Sequence, residues 1–177
     1  MGREPQNPKR RRKKLLEKEV GELLSKLGLT LAVAESCTGG LLAHRITNVP
    51  GSSKYFIGGV VAYSNQVKNA LLKVSEETLK THGAVSRETA IQMARGVREL
   101  LGTDIGIGIT GIAGPGGGTP TKPVGLVYVA LSAPDHEECL QFQWQGHRIQ
   151  NKRLSTEAAL EMLLRYLKSK ATSGSES

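Results

Sequence analysis

TLAVAESCTGGLLAHRITNV, residues 30–49, joins a short apolar run to a longer amphipathic one across a polar bend. TLAVAE (30–35) is brief, apolar and bounded by turn residues, which predicts a buried strand. TGGLLAHRITNV (38–49) reads as a helix. A strand that feeds a helix is the repeating unit of an α/β sheet, and Ser36 lies where one becomes the other. Two roles are open to it on this stretch alone. Ser36 or Thr38 can cap the helix, or Ser36 can project from the strand's exit as a nucleophile.

The rest of the chain continues the pattern. Upstream, LLEKEVGELLSKLGL (15–29) carries Leu15, Leu16, Val20, Leu23, Leu24 and Leu27 at helical spacing, with Gly28 as its stop. Downstream, PGSS makes a turn and YFIGGVVAYS (55–64) predicts a second strand. NQVKNALLKV opens a helix capped by Ser64 or Asn65, and SRETAIQMARGVRELLG (86–102) predicts another. DIGIGIT (104–110) is a third strand, running into the loop GIAGPGGGTPTKP (111–123). VGLVYVALSA (124–133) and CLQFQWQ (139–145) are two further strands around a turn at PDHE, and NKRLSTEAALEMLLRYLKSK (151–170) closes the domain as a helix. Alternation followed by a hairpin-like pair predicts a three-layer α/β/α sandwich whose sheet is mixed and mostly parallel, with about five to six strands. One domain is expected over 15–170. A basic tail (1–14) and a polar one (171–177) are expected to be disordered.

Composition narrows the function classes. Of 177 residues, 38% are hydrophobic and 23% charged, and the 21 glycines cluster at 39–40, 58–59 and 111–118, as they do where backbone approaches a ligand. The net charge of +8 owes six charges to the run Lys9–Lys14, which leaves +2 elsewhere, so any attraction for nucleic acid is confined to the tail. Cys37 and Cys139 are too few and too far apart for a disulfide framework or a zinc site, and the four histidines lack metal-ligand spacing. No run approaches the length of a membrane span, and no signal-peptide core is present. The expectation is a cytoplasmic chain with reduced thiols.

For Ser36 to attack it needs a base, and no histidine falls at an expected strand end. Lys68 does fall in the first turn of the helix after AYS, where the positive end of the helix dipole should lower its pKa. Tyr63 is placed to donate its hydroxyl or to hold substrate. Thr110, ending the third strand, could bond the reacting group. Gly39 and Gly40 offer open backbone N–H groups for an oxyanion. Gly111, Gly114 and Gly116 belong to a loop able to cradle phosphate or carboxylate, with Arg148 as a further anion partner. Each also has a plain structural use: cap, exposed lysine, strand-end tyrosine, turn contact or surface arginine.

Four stretches in order, AESCTGGLLAHRITNVPGSSKYFIGGVVAYSNQVKNALL, HGAVSRETAIQMARGVR, ITGIAGPGGGTPTKPVG and GHR, together resemble the CinA C-terminal domain family over about residues 15–168. The chain looks like a stand-alone version, without room for the larger N-terminal domain of full-length CinA proteins. The resemblance implies a nicotinamide-nucleotide amidohydrolase that converts nicotinamide mononucleotide and water to nicotinate mononucleotide and ammonia, in pyridine nucleotide recycling. It implies Ser36 as nucleophile, Lys68 and Tyr63 beside it, Thr110 and Arg148 in the site, and no metal or organic cofactor. A departure is His147, which stands where the family's usual GDR has aspartate. The expected partner is a small nucleotide substrate, with a homodimer as the default assembly. The competing expectations are a catalytically silent nucleotide-binding module and a competence- or DNA-damage-associated protein acting through residues 9–14.

Overall fold

The computed structural model describes residues 15–174; the basic tail expected over 1–14 and the last three residues of the polar tail expected over 171–177 lie outside them, while 171–173 are helical and not disordered. The described chain runs α1 (Leu16–Leu27), β1 (Leu31–Glu35), α2 (Leu41–Thr47), β2 (Phe56–Val61), α3 (Asn65–Leu72), α4 (Glu76–Thr81), α5 (Arg87–Leu101), β3 (Ile105–Gly111), β4 (Leu126–Ala133), β5 (His136–Gln143) and α6 (Arg148–Ser173). A single 3₁₀ turn at Ser52–Lys54 precedes β2. No helix among the described residues is long and apolar enough to cross a membrane.

The five strands form one sheet in the order β2-β1-β3-β4-β5. β1 is parallel to both β2 and β3, while β4 is antiparallel to β3 and to β5. Four strands therefore share one direction and β4 alone opposes them. This is the mixed α/β architecture the alternation predicts.

The strand sequences explain the layers. Side chains alternate across a strand, so β1 sends Leu31 and Val33 into one core and Ala32 and Ala34 into the other. The first core collects Val20 and Leu24 of α1, Leu42 and Ile46 of α2, and Leu160, Leu163 and Leu167 of α6. The second holds Leu72 of α3 with Met93 and Val97 of α5. In β3 the three isoleucines face the α1/α6 side, and Gly106 and Gly108 face α5. A Cβ at Gly106 would collide with the Ala94 backbone carbonyl, so DIGIGIT lets α5 lie directly on the sheet.

Several element ends differ from expectation for identifiable reasons. α2 begins at Leu41 rather than Thr38, because Gly39 (φ 60°) and Gly40 (φ 98°) are left-handed and stand outside any helix. β5 begins at His136, not Cys139. Pairing with β4 along its full length, and ion pairs Arg95–Glu137 and Arg165–Glu138 on this edge strand, outweigh the poor strand preference of HEE. α6 begins at Arg148, three residues early, and ends at Ser173, three residues late. α4 was not anticipated. Ser75 caps it, its hydroxyl accepting from the Thr78 N–H at 3.0 Å, with Glu76 and Glu77 in the first turn.

Candidate active site

β1, β2 and β3 all end at the same edge of the sheet. The chain leaves β1 towards α2 on one face and leaves β2 towards α3 on the other, so a crevice opens between their exits, where ligands of α/β sheets bind. A cavity of about 270 Å³ lies there, lined by Ser36, Tyr63, Asn65, Lys68, Thr110 and Arg148, and by the glycine loop through Gly111, Gly114, Gly116 and Gly117. Among the described residues no aspartate or glutamate lines it.

Ser36 follows β1 directly. Its N–H donates to the Ile109 carbonyl at 2.9 Å, continuing the ladder to β3 one step past the strand. Ser64 caps α3 by accepting from the Val67 N–H at 3.2 Å, which sets Lys68 in the first turn as the sequence suggests. Helical side chains lean towards the N-terminus, so the amine reaches back to the crevice. Lys68 Nζ lies 3.1 Å from Ser36 Oγ and donates to the Ala62 carbonyl at 2.8 Å. The residue is only 2% exposed and has no ion pair among the described residues. Burial holds its pKa below the ordinary lysine value, opposed only by the nearby Cys37 sulfur. The helix dipole was the expected cause; loss of hydration is the cause the packing supplies. Cys37 also lines the cavity, but burial pushes its thiol up to about 12 and keeps it protonated.

Arg148 opens α6 and bridges two walls of the cavity. Nη1 donates to the Gly114 carbonyl at 2.8 Å and Nη2 to the Tyr63 hydroxyl at 3.1 Å. Tyr63 sits on the rim, 63% exposed. Asn151, buried one turn further along α6, donates to the Ala113 carbonyl at 3.1 Å and accepts from the Gly146 N–H at 3.0 Å, so α6 pins the loop at two points. His147 occupies the N-cap of α6, its Nδ1 accepting from the Gln150 N–H at 3.4 Å. An aspartate there would serve the same end, so the departure from GDR falls on a capping position.

One expectation is corrected. Gly39 and Gly40 do not line the cavity beside Ser36. They face a neighbouring one of about 340 Å³ with His44, Lys152 and Arg153. The Gly39 N–H is already taken by the Ser36 carbonyl at 3.1 Å. Thr110 does line the cavity, and its hydroxyl donates to the Ala84 carbonyl at 2.6 Å, which ties β3 to the segment before α5. Sequence reasoning missed Cys37, Ala84, Val85 and Asn151 as parts of this site. Ala84 and Val85 carry no chemical signal, Cys37 was weighed only as a disulfide or zinc partner, and Asn151 reads as an ordinary helix residue until the glycine loop is folded against it.

The family profile described as the CinA C-terminal domain matches residues 13–167. A putative competence-damage inducible protein of Halothermothrix orenii is 56% identical over 154 residues, 86% of this chain and 37% of that protein. One of Moorella thermoacetica is 57% identical over 153 residues, again 86% of this chain and 37% of that protein. The chain thus spans little more than a third of these relatives. Among solved structures, the competence/damage inducible protein CihA of Agrobacterium tumefaciens superposes with a TM-score of 0.81 at 40% identity, covering 86% of this chain and 95% of that one. A CinA superfamily protein of Klebsiella pneumoniae gives 0.84 at 33% identity, covering 87% and 96%. With a strand-exit serine, a buried lysine and a glycine loop in the order its sequence led one to expect, the chain belongs to the CinA C-terminal domain family.

Proposed function

We propose that the protein is a nicotinamide-nucleotide amidohydrolase of cytoplasmic pyridine nucleotide recycling, with Ser36 as nucleophile and Lys68 as its base. The observation that carries this reading is the buried Lys68 amine 3.1 Å from Ser36 Oγ, with its pKa lowered by that burial, in a cavity that no carboxylate of the described residues lines. An uncharged amine has one lone pair and two N–H donors. Bonded through one N–H to the Ala62 carbonyl, it presents the lone pair to the serine hydroxyl.

Lys68 takes the Ser36 proton as the oxygen bonds to the carboxamide carbon of nicotinamide mononucleotide. The new ammonium stands beside the oxyanion that forms. Collapse of this intermediate breaks the C–N bond, and Lys68 returns the proton to the departing ammonia, leaving an acyl-enzyme. Water, deprotonated by the same amine, attacks the acyl carbon and releases nicotinate mononucleotide as Ser36 regains its proton. The quaternary pyridinium withdraws electrons from the amide. The phosphate supplies binding energy at a distance, with Arg148 and the N–H groups of the glycine loop as its holders. Tyr63 bonds Arg148 and orders that end of the cavity. Thr110, tethered to Ala84, shapes the wall instead of donating to the oxyanion.

The test is ammonia release from nicotinamide mononucleotide, nicotinamide riboside and nicotinamide by the wild type, Ser36→Ala and Lys68→Ala. Turnover of the mononucleotide is expected to exceed that of the other two, and each variant to lose about 10³-fold or more with its fold retained. Wild-type turnover in either variant would remove that residue from the chemistry, and absence of ammonia release by the wild type would reject the activity.

A further inference from the structure

Glu35, the residue before the nucleophile, has no part in the chemistry above. It ends β1 and is 1% exposed. Its carboxylate passes over the Ser36–Gly40 bend to the first turn of α2. Oε1 accepts from the Leu42 N–H at 2.9 Å and Oε2 from the Ala43 N–H at 3.0 Å. α2 has glycine at its N-cap and no side-chain cap of its own, so Glu35 satisfies donors that the bend cannot. The backbone of the same residue reaches sideways. Its carbonyl accepts from the Ala62 N–H at 2.8 Å, and the Ala62 carbonyl holds Lys68 Nζ. One residue thus links the serine bend, the following helix and the anchor of the amine.

We propose that Glu35 is a positioning residue, its carboxylate clamping the first turn of α2 to the end of β1 and so holding Ser36 Oγ within reach of Lys68 Nζ. It does not line the cavity, so it acts through Ser36 and not on a substrate. The clamp matters because the bend holds two left-handed glycines, which leave the backbone there little intrinsic stiffness. It also fills the N-terminus of α2, which explains why that helix start is closed to an oxyanion. The inference rests on the reading of Ser36 as nucleophile and Lys68 as its base, and not on the identity of the substrate.

Glu35→Gln keeps the volume but offers one acceptor where two are needed, its NH₂ facing a backbone N–H. The kcat for ammonia release from nicotinamide mononucleotide is expected to fall about 10- to 100-fold. KM should stay within about threefold, and circular dichroism should show the variant folded at the assay temperature. An unchanged kcat, a rise in KM alone, or a loss matched by the unfolded fraction would overturn the proposal. Should Glu35→Gln fail to fold, Glu35→Asp, a carboxylate one methylene short, is read by the same split. A wild type that releases no ammonia rejects the substrate reading and not this one. The readout is then the rate at which diisopropyl fluorophosphate labels Ser36, followed by peptide mass spectrometry. A drop of about tenfold or more in Glu35→Gln supports the clamp, and equal rates overturn it.

Discussion

Lys68 is buried, with the Ala62 carbonyl and the Ser36 hydroxyl as its hydrogen-bond partners among the described residues, a setting that disfavours its charged form. The unfolded chain holds its proton up to the ordinary lysine value of 10.5, and the folded chain releases it at a lower pH. Between those two values the unfolded state binds more protons, so this residue's contribution to stability rises with pH across that window. Lys68→Met abolishes the titration while filling similar space. Parallel thermal scans from pH 7 towards pH 10 should show the wild type gaining melting temperature relative to Lys68→Met. A constant difference across that range would mean that burial does not depress the amine. For the proposed chemistry the same shift is favourable, because a lysine base works only when neutral and a lowered pKa brings that form closer to physiological pH.

At the scale of elements, helix starts carry the site. α3 presents Lys68 because Ser64 caps it, and α6 presents Arg148 because His147 does. The second cap is the poorer one. Its hydrogen bond is long, and an imidazole brings no negative charge to the positive end of a 26-residue helix. His147→Asp is therefore expected to stabilise the protein by about 0.5–1 kcal/mol, read as a higher urea midpoint at unchanged slope. A lower midpoint would show that the ring is held by more than its capping bond. In the sheet the deciding device is opposite in kind, since Gly106 and Gly108 act by leaving space for α5.

Across the whole molecule, three parallel strands deliver Ser36, Tyr63 and Thr110 to one edge, and α6 returns from the far end of the chain to close the cavity with Arg148. With the Arg148 guanidinium on its wall and no carboxylate lining it among the described residues, the cavity suits an anion independently of the basic run at 9–14. Replacing Arg148 with alanine should raise the KM for nicotinamide mononucleotide about 10- to 100-fold, the worth of one charge-assisted pair. The riboside, which lacks the phosphate, should be nearly indifferent to the change. An equal loss with both would assign Arg148 to shaping the loop through Gly114 instead.

The α/β class was legible in the sequence because strand and helix periods are local properties of the chain. That Ser36, Lys68 and the glycine loop could meet in one cavity was legible because each sits at a strand exit or helix start, which turn and cap residues mark. Residue 147 could be recognised as altered, but its role as a cap depended on where α6 begins. Which backbone N–H groups are free was decided only by tertiary structure. Glu35 reaches seven and eight residues ahead to occupy the start of α2, and Thr110 spends its hydrogen on a carbonyl 26 residues away. The burial that lowers the Lys68 pKa was likewise invisible beforehand, because desolvation depends on everything packed around a group and not on its neighbours in the chain.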